Sequence, residues 1–131
     1  MKTLIVEDDF TSRLLLQELL KNYGQSHFAV NGREAVEAVR MALEANAPYD
    51  LICLDIMMPG VDGQQALGII RLMEKAKGIA GPDHVKIIMT TALGDRANVI
   101  KAIQQQCDCF LVKPIQKAKL LEELRKLGLL E

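Results

Sequence analysis

Five short runs of apolar residues alternate along the chain with five longer segments in which apolar residues recur at helical spacing. The runs are rich in β-branched residues, and the first, third and fourth are apolar along almost their whole length, as expected for strands covered on both faces. They occupy residues 4–6, 27–30, 50–54, 85–89 and 109–112. This alternation predicts five strands joined by helices.

The intervening segments carry apolar residues three and four positions apart, which predicts helices with one face packed on a sheet. These stripes lie in residues 15–20, 35–43, 66–73, 100–107 and 120–127. Right-handed crossovers between successive strands then place helices on both faces of a parallel sheet. The predicted fold is α/β: a three-layer α/β/α, doubly wound, five-stranded parallel sheet.

Length and composition narrow the class of protein. The 131 residues show no shift in composition, so we expect one domain, residues 1–131. With 16 basic and 17 acidic residues the formal net charge is -1, which disfavours direct DNA binding by this chain. The odd number of cysteines and the lack of a signal peptide predict a cytoplasmic protein, and no apolar stretch reaches the roughly 18 residues of a membrane span.

Polar side chains follow the ends of four of the predicted strands. Groups just past the carboxyl ends of parallel strands converge on one crevice of the sheet. Here those positions are occupied by Glu7, Asp8, Asp9, Asp55, Thr90, Thr91 and Lys113. The sequence therefore predicts one site that combines several carboxylates, a hydroxyl and an ammonium.

A phosphoryl group is the chemistry that such a site fits best. Two carboxylates about 4 Å apart repel by about 4 kcal/mol at an effective dielectric near 20, so a cation has to offset them. Oxygen ligands suit Mg²⁺, and Lys113 supplies a second positive charge. Metal, ammonium and hydroxyl together stabilise a transferring phosphoryl group. Asp55 is the candidate nucleophile, because a carboxylate is ionised at neutral pH and needs no general base.

These residues resemble the receiver domains of two-component response regulators, and the resemblance covers essentially the whole chain. Four motifs occur in the order and spacing of that family: the acidic pair Glu7-Asp8, the phosphoacceptor Asp55 with its loop motifs Met58-Pro59 and Asp62-Gly63, the switch pair Thr91-Ala92, and Lys113-Pro114. The family fold, a flavodoxin-like sheet of order 2-1-3-4-5, agrees with the fold predicted from the pattern.

The resemblance implies a phosphoacceptor role for Asp55. The donor would be a phosphohistidine on a sensor histidine kinase or a histidine phosphotransferase. The cofactor would be Mg²⁺, held by Glu7 or Asp8, by Asp55 and by the backbone carbonyl of Met57.

The resemblance also implies a signalling output rather than enzymatic turnover. Thr91 and Lys113 would respond to the phosphoryl group, and Phe110 occupies the position of the family's movable aromatic residue. The linkage before Pro114 would be cis. Phosphorylation would then switch a protein-interaction surface, and a phosphorylation-dependent homodimer is compatible with that role. The chain is either a stand-alone regulator or one domain of a longer protein.

Two other functions are compatible with parts of the pattern but fit it less well. The main alternative is a phosphohydrolase of related architecture that forms an aspartyl-phosphate, but such enzymes usually carry a second acid two residues after the nucleophile, where this chain has Met57. A flavodoxin-like electron carrier is disfavoured because the acids after the first strand would repel a flavin phosphate.

Several residues near the site have simpler structural interpretations. Asp9 is predicted to cap the first helix, and Thr90 to be a structural hydroxyl. Phe110 is equally well interpreted as a strand core residue. The turn before the fifth strand has Gln106-Cys107 where the family usually has Gly-Ala, which leaves the geometry of that turn open. Cys107 and Cys109 are interpreted as packing residues rather than metal ligands.

Overall fold

The strands and helices follow the predicted alternation. A computed structural model describes residues 1–56, 62–79, 83–92, 97, 100–101 and 107–131. Within them lie β1 (Thr3–Val6), α1 (Phe10–Leu20), β2 (Ser26–Ala29), α2 (Gly32–Glu44), β3 (Leu51–Asp55), α3 (Gly63–Ala76), β4 (Lys86–Thr91), β5 (Cys109–Val112) and α4 (Lys117–Lys126). Every predicted strand is present. The helix predicted over residues 100–107 lies largely outside the described residues.

The five strands form one parallel sheet of order β2-β1-β3-β4-β5, as predicted. The register pairs Val6 of β1 with Leu54 of β3, and Asp55 of β3 with Thr90 of β4. Because the strands are parallel and in this register, the carboxyl-terminal ends of β1, β3 and β4 lie side by side. We call this side of the sheet, where the strands end, its edge.

Each face of the sheet has its own hydrophobic core, since successive side chains of a strand point to opposite faces. One core contains Leu4, Val6, Ile52, Leu54, Ile87 and Met89 and packs against residues of α2 and α3. The other contains Ile5, Leu51, Cys53, Ile88 and Leu111 and packs against residues of α1 and α4. The three-layer arrangement is therefore confirmed, and the face of any residue near a strand end can be read from its neighbours.

Three described residues of the predicted helical stripes are exposed instead of packing on the sheet: Leu15, Ile69 and Ile100, the last 57% exposed. Leu15 of α1 is 41% exposed and Ile69 of α3 is 39% exposed, whereas the residues after them, Leu16 and Ile70, are buried. One step along an α-helix turns the side chain by about 100°. Leu15 and Ile69 therefore lie at the border of the buried helix face, and only Leu16 and Ile70 reach the core.

Three of the helices begin at a residue whose side chain caps the helix N-terminus. Asp9 accepts a hydrogen bond from the backbone N–H of Ser12 at 2.9 Å, which confirms its predicted role as the cap of α1. Asn31 caps α2, and Asp62 forms a reciprocal capping box with Gln65 at the start of α3. The early start of α1 leaves only Glu7, Asp8 and Asp9 between it and β1, so the acidic pair is held at the edge of the sheet.

The turn before β5 is fixed by a side chain rather than by a glycine. Asp108 accepts hydrogen bonds from the backbone N–H of Ile87 at 2.7 Å and from Arg71 at 2.9 Å, and its second oxygen lies 2.9 Å from His84. Its own N–H donates to the carbonyl of Ile87 at 2.9 Å. The departure from the family's Gly-Ala turn therefore leaves β5 correctly paired with β4.

None of the helices within the described residues is long and apolar enough to cross a lipid bilayer.

Gly63 fixes the distance between the start of α3 and the end of β3. A Cβ atom built on Gly63 would lie 2.0 Å from the carbonyl oxygen of Asp55 and 2.9 Å from the Cα of Ile56. The N–H of Gly63 donates to the carbonyl of Ile56 at 3.2 Å. Only a residue without a side chain allows the helix to pack directly on the backbone that carries Asp55.

We therefore expect Gly63→Ala to destabilise the protein by about 2–3 kcal/mol, because backbone atoms have to move apart to admit the methyl group. Urea-induced unfolding followed by circular dichroism measures this loss. The matched control is Gly78→Ala, where a Cβ meets no atom within 4 Å and only the positive φ of 77° is strained. That strain costs about 1–2 kcal/mol. A Gly63→Ala protein as stable as the wild type would contradict the close packing.

Candidate functional site

Three carboxylates meet at the edge of the sheet where β1 and β3 end. Glu7 and Asp8 follow β1, and Asp55 is the last residue of β3. One oxygen from each of the three carboxylates lies within 4.8 Å of the others. Glu7 is 1% exposed and Asp55 5% exposed, whereas Asp8 is exposed to solvent. The predicted convergence of these three acids is confirmed.

Lys113 provides the positive charge that the sequence predicted. Its Nζ donates to Oε2 of Glu7 at 2.8 Å and to Oδ2 of Asp55 at 3.2 Å. The peptide bond between Lys113 and Pro114 is cis, as the family resemblance implied. The backbone N–H of Lys113 donates to the carbonyl of Thr91 at 2.8 Å. Lys113 therefore bridges two buried acids that come from different strands.

Both oxygens of the Glu7 carboxylate have partners. Oε2 accepts from Lys113, and Oε1 accepts from the backbone N–H of Asp9 at 3.1 Å. The guanidinium of Arg13 donates to the backbone carbonyl of Glu7 at 3.1 Å. Glu7 is thus held firmly, while Asp8, the exposed acid of the pair, borders the solvent.

Burial dominates the electrostatics of Glu7. It raises the pKa of Glu7 above its usual value, the hydrogen bond from Lys113 lowers it in part, and the charge of Asp55 raises it further. For Lys113, burial acts to lower the pKa, but the hydrogen bond to Glu7 and the charge of Asp55 outweigh it and leave the pKa raised. The ammonium is therefore fully charged at neutral pH.

The acid cluster has the composition of a site for a divalent cation. When ionised, the three carboxylates carry three negative charges and Lys113 one positive charge, which leaves two negative charges to balance. Mg²⁺ prefers a small number of carboxylates and keeps several waters, and the exposed Asp8 borders the solvent that would supply them. The fourth predicted ligand, the backbone carbonyl of Met57, lies outside the described residues.

Two adjacent threonines end β4 and have different environments. Thr91 is 1% exposed, and its hydroxyl donates to the carbonyl of Ala92 at 3.3 Å, a long hydrogen bond. Thr90 is 2% exposed, and its hydroxyl has no hydrogen-bond partner within the described part of the chain. Thr90 therefore makes none of the structural hydrogen bonds expected of it.

Phe110 lies in β5 and is 38% exposed. It occupies the surface, which differs from the interpretation of Phe110 as a strand core residue. Cys107 and Cys109 are free thiols that pack against the two cores, as expected.

An arginine–aromatic group that the sequence pattern does not reveal lies beside the site. The guanidinium of Arg13 lies 5.4 Å from the ring centroid of Phe10 and 5.3 Å from that of Phe28. Phe10 and Arg13 are three positions apart in α1, a spacing that places them on one helix face. Phe28 joins them through the β1–β2 register, which no local pattern reveals. Phe10, Leu14 and Leu15 of α1 are all exposed.

A family model and individual relatives of this chain point to the same protein family. The family model described as the response regulator receiver domain matches residues 3–125. The chemotaxis protein CheY of Thermotoga maritima is 32% identical over 129 residues, with 97% of both chains covered. Other relatives are far longer: the chain spans 6% of the hybrid signal transduction histidine kinase B of Dictyostelium discoideum, to which it is 36% identical over 131 residues.

Solved structures resemble the chain over nearly its full length. One is the co-crystal structure of the Saccharomyces cerevisiae histidine phosphotransfer signaling protein Ypd1 and the receiver domain of Ssk1, with a TM-score of 0.82, 27% identity, and coverage of 98% of this chain and 88% of that one. Another is the receiver domain of the Pseudomonas aeruginosa sensor histidine kinase PA1611 with a magnesium ion in its active site cleft, with a TM-score of 0.77, 28% identity and 97% coverage of both chains. The phosphohydrolase alternative is not favoured by these matches.

The raised pKa of Glu7 predicts how stability depends on pH. The folded protein holds the Glu7 proton more tightly than the unfolded chain, so stability is lost as the pH rises from about 4.3, the usual pKa of Glu, through the raised value. Because glutamine does not titrate, Glu7→Gln should melt a few degrees above the wild type at pH 8, and this gain should shrink at pH 5. Thermal unfolding of Glu7→Gln and the wild type at pH 8 and at pH 5, in the presence of a chelator, measures this difference in melting temperature.

The matched control is Glu37→Gln, at an exposed position of α2 where Arg40 lowers the pKa of the carboxyl. It should show no such gain. A Glu7→Gln protein that melts below the wild type at pH 8, or whose gain is independent of pH, would contradict the electrostatic description of the site.

Proposed function

The chain belongs to the response regulator receiver domain family, and on this premise we propose that Asp55 is the residue that accepts a phosphoryl group. The observation that carries the proposal is the pair of contacts from Lys113 to Asp55 and Glu7 at the edge of the sheet. Asp55 is the acid of the cluster that ends a strand and contacts the ammonium directly. An attacking carboxylate at this position has a positive charge beside it.

The reaction is the transfer of a phosphoryl group from a phosphohistidine to Asp55. A carboxylate oxygen of Asp55 attacks phosphorus, the N–P bond breaks, and the electron pair of that bond returns to the imidazole nitrogen. Charge on the phosphoryl oxygens is stabilised by the Lys113 ammonium. The transfer needs no general base, because the attacking carboxylate has no proton to lose.

Glu7, Asp8 and Asp55 are the residues that would hold Mg²⁺, with the carbonyl of Met57 as a further ligand. The ion would neutralise charge on the phosphoryl oxygens during transfer. Within the described residues, Lys113 is a cation that contacts both buried acids, Glu7 and Asp55. The magnesium ion in the cleft of the PA1611 receiver domain supports this assignment.

The phosphoryl donor is a sensor histidine kinase or a histidine phosphotransferase that docks on α1. Phe10, Leu14 and Leu15 are exposed on this helix, which begins three residues after Glu7. Exposed apolar side chains beside a charged site are typical of a protein-binding surface. The complex of a similar receiver domain with Ypd1 supports a phosphotransfer protein as the kind of partner.

Thr91 and Phe110 form the switch that reports phosphorylation at the surface. The Thr91 hydroxyl makes only a long hydrogen bond to Ala92, so phosphoryl oxygens can compete for it. Thr91 pairs with Val112 and Met89 with Phe110 across β4 and β5, so the threonine lies close to the half-exposed phenylalanine. A movement of Thr91 would let Phe110 rotate and change the surface beside β5 and α4, where a target protein or a second copy of the chain would bind.

The domain acts as a signalling module in the cytoplasm and catalyses at most its own phosphorylation and dephosphorylation. The odd number of cysteines in the sequence supports a reducing compartment.

Acetyl phosphate with Mg²⁺ should add one phosphoryl group to the wild-type protein and none to Asp55→Asn, because the amide is no nucleophile. Intact-protein mass spectrometry measures the labelling. The control is Asp50→Asn, which changes an exposed aspartate at the opposite edge of the sheet and should be labelled like the wild type. Equal labelling of Asp55→Asn and the wild type would refute the assignment of Asp55.

A further inference from the structure

In the part of the chain that the structure describes, the hydroxyl of Thr90 is a buried polar group without a hydrogen-bond partner. Thr90 is 2% exposed, and its Oγ1 makes no hydrogen bond within the residues that the structure describes. Buried hydroxyls in native proteins are mostly hydrogen-bonded to protein or to ordered water, and an exception calls for a partner such as a water, an ion or a catalytic group. The position of Thr90 decides which of these applies.

Thr90 lies on the same face of the sheet as Asp55 and Lys113. Cys53, Ile88 and Leu111 all belong to the core beneath α1 and α4. Two residues further along each strand lie Asp55, Thr90 and Lys113, and a separation of two returns a side chain to the same face. The register pairs Thr90 with Asp55 on one side and with Leu111 on the other.

The side chain of Lys113 therefore crosses Thr90. Lys113 follows β5, and its ammonium reaches Asp55 on β3, while β4 lies between those two strands. Thr90 is the residue of β4 that stands beside Asp55 on this face. The lysine side chain has to pass over it.

A cavity connects the three groups. It has a volume of about 390 Å³ and is lined by Thr90, Glu7 and Lys113 together with apolar side chains that include Leu16 and Ile115. Thr90, Glu7 and Lys113 thus line one cavity.

We propose that the hydroxyl of Thr90 positions Lys113 for the phosphoryl group. This inference rests on the proposed function. In the structure the ammonium donates to Glu7 and Asp55, two of the three hydrogen bonds it can make. When Asp55 carries a phosphoryl group and a bound Mg²⁺ shares the carboxylates, the ammonium would hold these partners less strongly and gain a phosphoryl oxygen. Thr90 then accepts one of its remaining hydrogens and holds the ammonium over Asp55.

A neutral hydrogen-bond acceptor such as the Thr90 hydroxyl is suited to orienting the Lys113 ammonium. A carboxylate beneath Lys113 would compete with the phosphoryl oxygens for the ammonium, whereas a hydroxyl orients the charge without neutralising it. A valine at the same place would keep the shape of the side chain but offer no acceptor, and the flexible lysine could turn towards solvent.

The test compares Thr90→Val, which removes the hydroxyl, with Thr90→Ser, which keeps it. We expect the initial rate of labelling by acetyl phosphate at saturating Mg²⁺ to fall about tenfold in Thr90→Val, as for the loss of a hydrogen bond to a charged group, and to stay within about twofold in Thr90→Ser. The melting temperature of unphosphorylated Thr90→Val should equal or exceed that of the wild type, because an unpaired buried hydroxyl has been removed. The control is Thr3→Val, at a buried position of β1 at the far edge of the sheet.

Three results would overturn the proposal. The first is a wild-type labelling rate in Thr90→Val, and the second is a rate in Thr90→Ser as slow as that in Thr90→Val. The third is a slow rate in Thr90→Val together with a clear loss of melting temperature that Thr3→Val does not show. That result would mean that the hydroxyl has a structural role. Failure of the proposed function looks different, because the wild type itself would then take no label or Asp55→Asn would take it equally.

Discussion

The ion pairs from the Lys113 ammonium to Glu7 and Asp55 are the interaction on which the candidate site depends. The partners are 106 and 58 residues away in the chain, and they meet only because the sheet order places the ends of β1 and β3 within reach of β5. One carboxylate oxygen of Glu7 and one of Asp55 lie within 4.8 Å of each other, and two buried negative charges this close repel strongly in a medium of low dielectric. The fold gathers them and supplies one positive charge, and a divalent metal ion would balance the net negative charge that remains before a phosphoryl group binds.

The surrounding structure holds this arrangement from several sides. Gly63 lets α3 pack against the backbone of Asp55, Asp9 starts α1 immediately after the acidic pair, and Asp108 keeps β5 paired with β4 without a glycine turn. The hydrogen bonds from Ser12 to Asp9 and from Ile87 to Asp108 are 2.9 Å and 2.7 Å long. The rigid edge they form explains why small movements of side chains, such as those proposed for Thr91 and Lys113, are the means by which the site can respond.

Much of this could be predicted from the sequence, because the apolar runs and polar strand ends are local features. The five strands, the three-layer fold and the meeting of Glu7, Asp8, Asp55 and Lys113 follow from where apolar runs stop, and the strand order followed from the family resemblance. Other features depend on register and on the direction of single side chains. Examples are the contact of Arg13 with Phe28, the unpaired hydroxyl of Thr90 and the exposure of Leu15, which lies one helical step from the buried stripe.

The most direct test of the account is a calorimetric titration of Mg²⁺ into the unphosphorylated protein, compared with Asp8→Asn and Lys113→Met. If Lys113 and the metal compete for the same carboxylates, Lys113→Met should bind Mg²⁺ more tightly than the wild type. Asp8→Asn should bind it at least about tenfold more weakly, because a ligand has been lost. An Asp8→Asn protein with wild-type affinity, or a Lys113→Met protein that binds more weakly, would contradict the claim that this acid cluster is one electrostatic unit shared by the lysine and the ion.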